Sequence, residues 1–225
     1  MKQAVSFPVA GREVQGVLHL ADGEAVGGAL VLHGWGGGPD QPHVVATCEA
    51  LAAAGVAALR FAFRDHEPPT MTLDTALEDA AAAIRLLKAH PSVPERLGVV
   101  GFSFGGTIAA VTAGRDSRLR AAVLAAAPAE AGAHFTAWSR QGPWKPVAEL
   151  SRTRARVLLI WGSRDTEVPI EHAERYRTVL SQARVTNHLV TIEGGDHDFD
   201  PAEARERMTA AVADWVSESF ATRSA

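Results

Sequence analysis

Three side chains of the types used in acyl transfer lie far apart in the sequence. Ser103 lies in a G-x-S-x-G segment, Asp165 comes shortly after an apolar run, and His197 follows the last apolar run before the C-terminal helix pattern. A serine hydroxyl is a weak nucleophile near neutral pH, so it needs a base to take its proton and a carboxylate to orient that base. These residues therefore predict nucleophilic attack on a carbonyl carbon, with Ser103 as nucleophile, His197 as base and Asp165 as acid.

The segment around Ser103 carries the strongest local signal. It follows the apolar run 97–100 and precedes the helix-forming run 107–111. A serine at a sharp strand-to-helix turn is lifted above the sheet edge, and Gly101 and Gly105 let strand and helix approach without Cβ clashes. The segment predicts a nucleophile elbow.

Other residues compete for the roles of base and acid. His197 is preferred because it follows a buried strand, whereas six further histidines fall on predicted helices, helix ends or strand interiors: His43, His66, His90, His134, His172 and His188. Asp165 likewise follows a buried strand. Its rivals are Asp65, Asp196 and Asp198, of which the last two would have to fold back on a tight loop to reach the ring of His197.

Acyl transfer also needs hydrogen-bond donors for the oxyanion that forms at the carbonyl carbon. The backbone N–H of Phe104 is one candidate, because it follows the nucleophile at the start of a helix. The second is the backbone N–H of Trp35, in the glycine-rich segment 33–38 after the first buried strand. Loss of one such donor costs about 10²- to 10³-fold in turnover.

These residues can converge only if the surrounding elements bring their loops together. Residues 3–9 and 13–20 predict an N-terminal antiparallel hairpin. From residue 28 onward, short apolar runs alternate with helical patterns, and these runs predict strands at 29–32, 56–63, 96–102, 121–127, 157–161 and 187–192. Buried strands that alternate with helices indicate a parallel sheet in an α/β fold of three layers, with functional groups at the carboxyl ends of the strands.

The length of 225 residues and a hydrophobic fraction of 47% predict one domain over residues 1–225. One connection, about 128–155, is long and has no strong helical stripe. We expect a short lid insertion there, with Phe135, Trp138 and Trp144 as substrate-binding residues; the alternative is an ordinary crossover helix.

Composition excludes several other classes of protein. The net charge of −4 offers no positive field for nucleic acid. Without an apolar run of signal-peptide or membrane-spanning type, the sequence predicts a cytoplasmic protein. Cys48 is the single cysteine, so no disulfide or zinc pair can form within the chain. Pro39 breaks a dinucleotide-binding pattern, and Pro201 and Arg207 break a calcium-loop pattern, so no metal or cofactor is expected.

Four motifs together resemble the α/β-hydrolase superfamily, and within it the compact hydrolases similar to dienelactone hydrolase and feruloyl esterase. They are His33-Gly34-Trp35-Gly36-Gly37, Gly101-Phe102-Ser103-Phe104-Gly105-Gly106, Trp161-Gly162-Ser163-Arg164-Asp165 and Gly194-Gly195-Asp196-His197-Asp198-Phe199. The resemblance implies a mostly parallel eight-stranded sheet whose second strand is antiparallel, together with the catalytic and oxyanion residues named above. Dienelactone hydrolases proper carry cysteine where this chain has Ser103, so their substrate is not carried over.

The resulting hypothesis is a cofactor-free serine hydrolase that cleaves small carboxylic esters or thioesters through an acyl-enzyme. An activity profile that rises with pH through an apparent pKa of about 7 is expected of a histidine base. The alternatives are an acyltransferase or a small peptidase with the same triad, and a ligand-binding protein that keeps the α/β-hydrolase fold without its chemistry.

Overall fold

The structure, a computed structural model, describes residues 1–65, 71–130 and 145–222. Its strands are β1 (Lys2–Val9), β2 (Arg12–His19), β3 (Gly27–Leu32), β4 (Val56–Phe61), β5 (Leu97–Phe102), β6 (Leu119–Ala125), β7 (Arg156–Gly162) and β8 (Asn187–Ile192). Its helices within these ranges are α1 (Pro42–Ala53), α2 (Leu73–Ala89), α3 (Phe104–Arg115), α4 (Pro146–Leu150), α5 (Glu171–Gln182) and α6 (Ala202–Ala221).

The strands form one mixed sheet in the order β1-β2-β4-β3-β5-β6-β7-β8. Strand β2 pairs antiparallel with both of its neighbours, and all pairs from β4 to β8 are parallel. The tight turn of the hairpin uses Ala10 and Gly11, both at positive φ, as the right-handed twist of a two-residue hairpin favours. The predicted hairpin and mostly parallel eight-stranded sheet are thus confirmed.

The sheet is the middle of three layers. Successive residues of a strand point to opposite faces of the sheet. Alternate side chains of β3 therefore pack in two different hydrophobic cores, one on each face. Leu30 and Leu32 pack in the core beneath α2, α3 and α5, whereas Ala29 and Val31 pack beneath α1 and α6. The buried residues of α2 include Ala80, Ile84 and Leu87, and those of α6 include Met208, Val212 and Phe220.

Some strand ends differ from the predicted ones. β4 ends at Phe61 rather than at residue 63, and β6 spans 119–125 rather than 121–127. At the end of β6 the reason is local, since Ala126 has a φ of +48° and leaves the extended conformation. An apolar residue past a strand end can still be buried in the core, as Phe63 and Ala127 are, so hydrophobicity alone overestimates strand length.

Because the strands from β3 to β8 are parallel, the loops that follow β3, β5, β7 and β8 leave the same edge of the sheet. In the connection 128–155 the structure describes the short helix α4, while Phe135, Trp138 and Trp144 lie outside the described residues. The lid therefore stays a prediction. Within the described part of the chain no helix is long and apolar enough to cross a membrane.

Candidate active site

Ser103 lies between β5 and α3 in a strained turn. Its φ of +50° and ψ of −117° are rare for a residue with a side chain, and such strain concentrates at functional sites. The turn is held on both sides: the Ser103 N–H donates to the Ala125 carbonyl at 2.8 Å, and the Ser103 carbonyl accepts from Thr107 at 3.1 Å. The geometry is the sharp strand-to-helix turn that is expected of a nucleophile elbow.

The glycines around Ser103 are required by close backbone packing. A Cβ on Gly101 would overlap the backbone of Gly105, and a Cβ on Gly105 would lie within 2.5 Å of the His33 carbonyl oxygen. Gly106 is equally confined, because its Cβ would lie 2.5 Å from the Cβ of Ala127. The start of α3 therefore sits directly against both β5 and the end of β3, which sets the elbow next to the glycine-rich turn.

The glycine-rich turn after β3 faces the elbow. A Cβ on Gly34 would lie 3.4 Å from the Cβ of Ser103, so the two backbones are adjacent. The turn is closed by a 3.3 Å hydrogen bond from the Gly37 N–H to the Gly34 carbonyl, with Gly36 at a φ of +65°. A type II turn needs a left-handed residue at that position, which glycine supplies.

The ring of Trp35 packs edge-on against Phe104, with 5.4 Å between ring centroids. The two residues whose backbone N–H groups are the predicted oxyanion donors are therefore in contact through their side chains. Phe104 is also the first residue of α3, where the helix dipole favours negative charge.

His33 ties the glycine-rich turn to the neighbouring strand. Its ring is fully buried, its Nδ1–H donates to the Gly34 carbonyl at 2.8 Å, and its Nε2 accepts from the Phe63 N–H at 3.2 Å. A carbonyl can only accept and an N–H can only donate, so these partners define a neutral ring protonated at Nδ1. The sequence showed that His33 belongs to a motif, but only its hydrogen bonds in the structure show that it holds the turn.

The loops that follow β7 and β8 are joined to each other. The Ser163 N–H donates to the Ile192 carbonyl at 2.9 Å, and the Arg164 N–H donates to the Gly195 carbonyl at 2.8 Å. Gly162 permits this approach, because a Cβ there would overlap the backbone of Gly195. The two loops thus form one unit, which carries Asp165 and His197.

Within this unit Asp165 and His197 are in contact. The Nδ1 atom of His197 lies 3.0 Å from Oδ2 and 3.1 Å from Oδ1 of Asp165. The Asp165 side chain is 1% exposed and that of His197 is 11% exposed. Oδ1 of Asp165 also accepts from the backbone N–H groups of Glu167 and Val168, so the carboxylate is held from two directions.

Burial and charge act in opposite directions on the pKa of His197. Burial of the ring lowers the pKa, while the hydrogen bond and charge of Asp165 raise it, as do the charges of Glu167 and Asp198. The net effect is a pKa above the ordinary value of a histidine. A ring with a raised pKa is a stronger base, which suits the removal of a proton from a hydroxyl.

The rival carboxylates have other partners or positions. Oδ1 of Asp196 accepts from the backbone N–H of Asp200, and Asp65 pairs with Arg12. Asp198 makes no hydrogen bond to His197 among the described residues, although its charge acts on the ring.

Ser103 Oγ and His197 Nε2 do not share a hydrogen bond in the described residues. Proton transfer requires that contact, and catalytic hydrogen bonds often shorten only when substrate binds. The Nε2 atom instead faces Glu167, whose Oε2 lies 3.8 Å away.

Two residues of this region were not found by sequence reasoning. Glu167 follows Asp165 by two positions, and this spacing within one loop is the signal that could have identified it. His43 was set aside as a helix residue, yet its buried ring packs on Phe102 with 4.6 Å between centroids. Burial lowers the pKa of His43, and the opposing charges of Asp198 and Asp200 do not reverse this shift.

The described residues contain no group of three or more histidine, cysteine, aspartate or glutamate side chains placed to hold a metal ion. The predicted substrate-binding residues Phe135, Trp138 and Trp144 lie outside the described part of the chain.

Solved structures of several esterases and hydrolases share this fold. Est1E from Butyrivibrio proteoclasticus has a TM-score of 0.81 and 21% identity, over 97% of this chain and 99% of that chain. A dienelactone hydrolase from Anabaena variabilis has a TM-score of 0.77 and 22% identity, over 97% of both chains. At these identities the likeness is one of fold.

Curated relatives match a smaller part of the chain. A Synechocystis protein provisionally named a carboxymethylenebutenolidase is 26% identical over 124 residues, which cover 55% of this chain and 48% of that protein. A Salmonella typhimurium protein with the same provisional name is 31% identical over 105 residues, or 47% of this chain and 37% of that protein. This chain thus spans less than half the length of either relative.

The family model covers far more of the sequence than these pairwise matches. The model described as the dienelactone hydrolase family matches residues 14–221, a range that includes the glycine-rich turn, the elbow and the loops after β7 and β8. The chain therefore belongs to the dienelactone hydrolase family and has the α/β-hydrolase fold.

Proposed function

We propose that this hydrolase is a serine esterase that cleaves small carboxylic esters or thioesters through an acyl-enzyme. The observation that carries the proposal is the contact of the Asp165 carboxylate with Nδ1 of His197, at the sheet edge where the strained elbow presents Ser103. Asp165 accepts from Nδ1 and so leaves Nε2 available to take a proton.

In the first half of the reaction Ser103 Oγ attacks the substrate carbonyl carbon, and its proton passes to Nε2 of His197. The carbonyl oxygen becomes an oxyanion, for which the backbone N–H groups of Trp35 and Phe104 are the proposed donors. The packing of Trp35 on Phe104 supports this pairing, since preorganised donors contribute most when they cannot move.

The tetrahedral intermediate then collapses. The bond from the carbonyl carbon to the leaving oxygen or sulfur breaks, and that atom takes the proton from Nε2 of His197. In the second half water attacks the acyl-Ser103 ester, gives a proton to Nε2, and releases the carboxylic acid as Ser103 recovers its proton. The buried Asp165 carboxylate stabilises the imidazolium in both halves.

Fold neighbours suggest where to start with substrates. Est1E has been solved with ferulic acid bound, which supports esters of small aromatic acids as the first acyl groups to test. A panel of aryl esters, thioesters and lactones compares leaving groups with one acyl group held constant.

Covalent labelling tests the nucleophile directly. A fluorophosphonate probe should label the native chain and the Ser117→Ala control, in which an exposed serine beyond α3 is replaced, but not Ser103→Ala. Turnover of the best ester should fall by about 10⁴-fold in Ser103→Ala. Labelling or substantial turnover that persists in this variant would contradict the proposal, and a native chain that stays unlabelled would favour a binding protein.

A further inference from the structure

The two nitrogen atoms of His197 each face a carboxylate. Asp165 lies against Nδ1 at 3.0 Å, and Oε2 of Glu167 lies 3.8 Å from Nε2. The two carboxylates differ in environment, because the Asp165 side chain is 1% exposed and the Glu167 side chain is 68% exposed. The buried carboxylate of Asp165 holds the ring, whereas the exposed carboxylate of Glu167 faces solvent.

Glu167 is held in this position by its backbone. The Glu167 N–H donates to Oδ1 of Asp165 at 2.9 Å, so the carboxylate that orients the ring also holds the residue that faces the other side of it. The loop is secured further on, where Nε1 of Trp161 donates to the Val168 carbonyl at 2.9 Å. The backbone of Glu167 is therefore fixed beside the ring, and its exposed side chain reaches to 3.8 Å from Nε2.

Under the proposed function, the side of the ring that Glu167 faces is the leaving-group side. Nε2 of His197 must give its proton to the leaving oxygen or sulfur, so that atom comes within hydrogen-bond reach of Nε2. A carboxylate 3.8 Å from the same nitrogen is then close enough to act on a charge that the leaving group carries.

We propose that Glu167 determines specificity by charge: it favours esters whose leaving alcohol carries a positive charge and disfavours those whose leaving alcohol carries a negative charge. This inference rests on the proposed function, and it names a substrate class for the same site. A cation near the carboxylate is attracted in the transition state, and an anion there is repelled.

The other charged groups around the ring do not offset Glu167. Asp165 and Asp198 add negative charge at His197, and the nearby His43 is a buried ring with a lowered pKa that is neutral at pH 7. The carboxylates that act on His197 therefore all add negative charge near the ring.

Three aryl acetates whose leaving groups differ in charge test the proposal. The leaving groups are 3-(trimethylammonio)phenol, its neutral isostere 3-tert-butylphenol, and 3-carboxyphenol, and kcat/KM is measured for each in the native chain and in Glu167→Gln. We expect the preference for the cationic over the neutral ester, and for the neutral over the anionic one, to fall by about 2- to 5-fold in Glu167→Gln. Differences in leaving-group reactivity cancel when the ratio of two esters in Glu167→Gln is divided by the same ratio in the native chain.

Glu171→Gln is the matched control, since it removes the same charge from an exposed glutamate at the start of α5 and should leave the charge preference unchanged. The preference in the native chain should also shrink as salt is raised from about 0.02 to 0.5 M. Charge ratios that are equal in Glu167→Gln and in the native chain would overturn the inference while leaving the esterase proposal intact.

A titration of His197 by NMR gives a second readout that does not depend on turnover. The pKa of His197 should be lower in Glu167→Gln than in the native chain, and an unchanged pKa would count against the inference. A native chain that hydrolyses none of the three esters would contradict the proposed function itself, and the assignment of a leaving-group side would fall with it.

Discussion

Asp165 and His197 lie 32 positions apart in the chain, yet Oδ2 of one and Nδ1 of the other are 3.0 Å apart. The contact depends on two parallel neighbours, β7 and β8, whose following loops hydrogen-bond to each other. Gly162 makes room for the backbone of Gly195 at the point where the loops cross. The contact between Asp165 and His197 thus depends on the strand order and on the absence of a side chain at Gly162.

The first prediction concerns the pH profile of a neutral ester. Under the proposed function, His197 must be unprotonated to accept a proton from Ser103, and its pKa is raised above 6.5. We therefore expect kcat/KM to rise with pH through a midpoint above 6.5, measured from pH 5 to 9 at constant ionic strength. A midpoint below 6.5, or a flat profile, would argue against His197 as the base.

The second prediction concerns the choice of carboxylate. Asp165→Asn should lower kcat by about 10³- to 10⁴-fold, because an amide can favour the wrong tautomer of the ring. Asp198→Asn, which changes the residue next to His197 without removing a hydrogen bond to the ring, should lower kcat by less than about tenfold. Steady-state kinetics on one ester measures both variants. Equal losses of kcat would contradict the assignment of Asp165 as the carboxylate that orients His197.

The third prediction concerns the elbow glycines. Gly105→Ala would place a Cβ within 2.5 Å of the His33 carbonyl oxygen, in a region of packed backbone that cannot move aside. We expect the free energy of unfolding to fall by about 3 kcal/mol or more, with loss of turnover. Gly38→Ala is the control, since nothing lies within 4 Å of its Cβ position, and its stability should change by less than about 0.5 kcal/mol. Urea denaturation measures both, and similar losses would show that the elbow can relax.

The fourth prediction concerns the buried pair His19 and Arg60. Nε2 of His19 accepts from Nε of Arg60 at 3.1 Å, and Arg60 also donates to the Pro39 carbonyl beyond the glycine-rich turn. Burial, followed by the charge of Arg60, lowers the pKa of His19 from 6.5 to about 4. The unfolded chain then binds a proton below pH 6.5 that the folded chain takes up only near pH 4, so stability is lost as pH falls through this window.

This loss should amount to about 1–3 kcal/mol of unfolding free energy between pH 7 and 4. His19→Gln removes the titrating group and should flatten the dependence, whereas His188→Gln, at an exposed position on β8, should not. Urea denaturation across the pH range compares the three chains. The same slope in His19→Gln and in the native chain would show that another group is responsible.

Much of the architecture could be predicted from local patterns. The bounds predicted for β8 were 187–192, as in the structure, and the other strands differ by a few residues at their ends. Alternation of buried strands with amphipathic helices is enough to predict a parallel sheet, and a parallel sheet places the loops of Ser103, Asp165 and His197 at one edge. Strand ends were less accurate, because residues such as Phe63 stay buried after the extended backbone has ended.

The sequence by itself determined which residues are candidates for catalysis and that their loops leave the carboxyl edge of the sheet. Residue types, glycine spacing and hydrophobic periodicity are properties of short segments, so they can be read without the tertiary structure. Only the tertiary structure decided which carboxylate orients the ring, that His33 secures the glycine-rich turn, and that Glu167 faces Nε2 at 3.8 Å. These contacts depend on how the loops that follow different strands pack together and on the side-chain rotamers that this packing allows. Such distances between side chains remote in sequence are set by the packing of the whole sheet, which no local pattern contains.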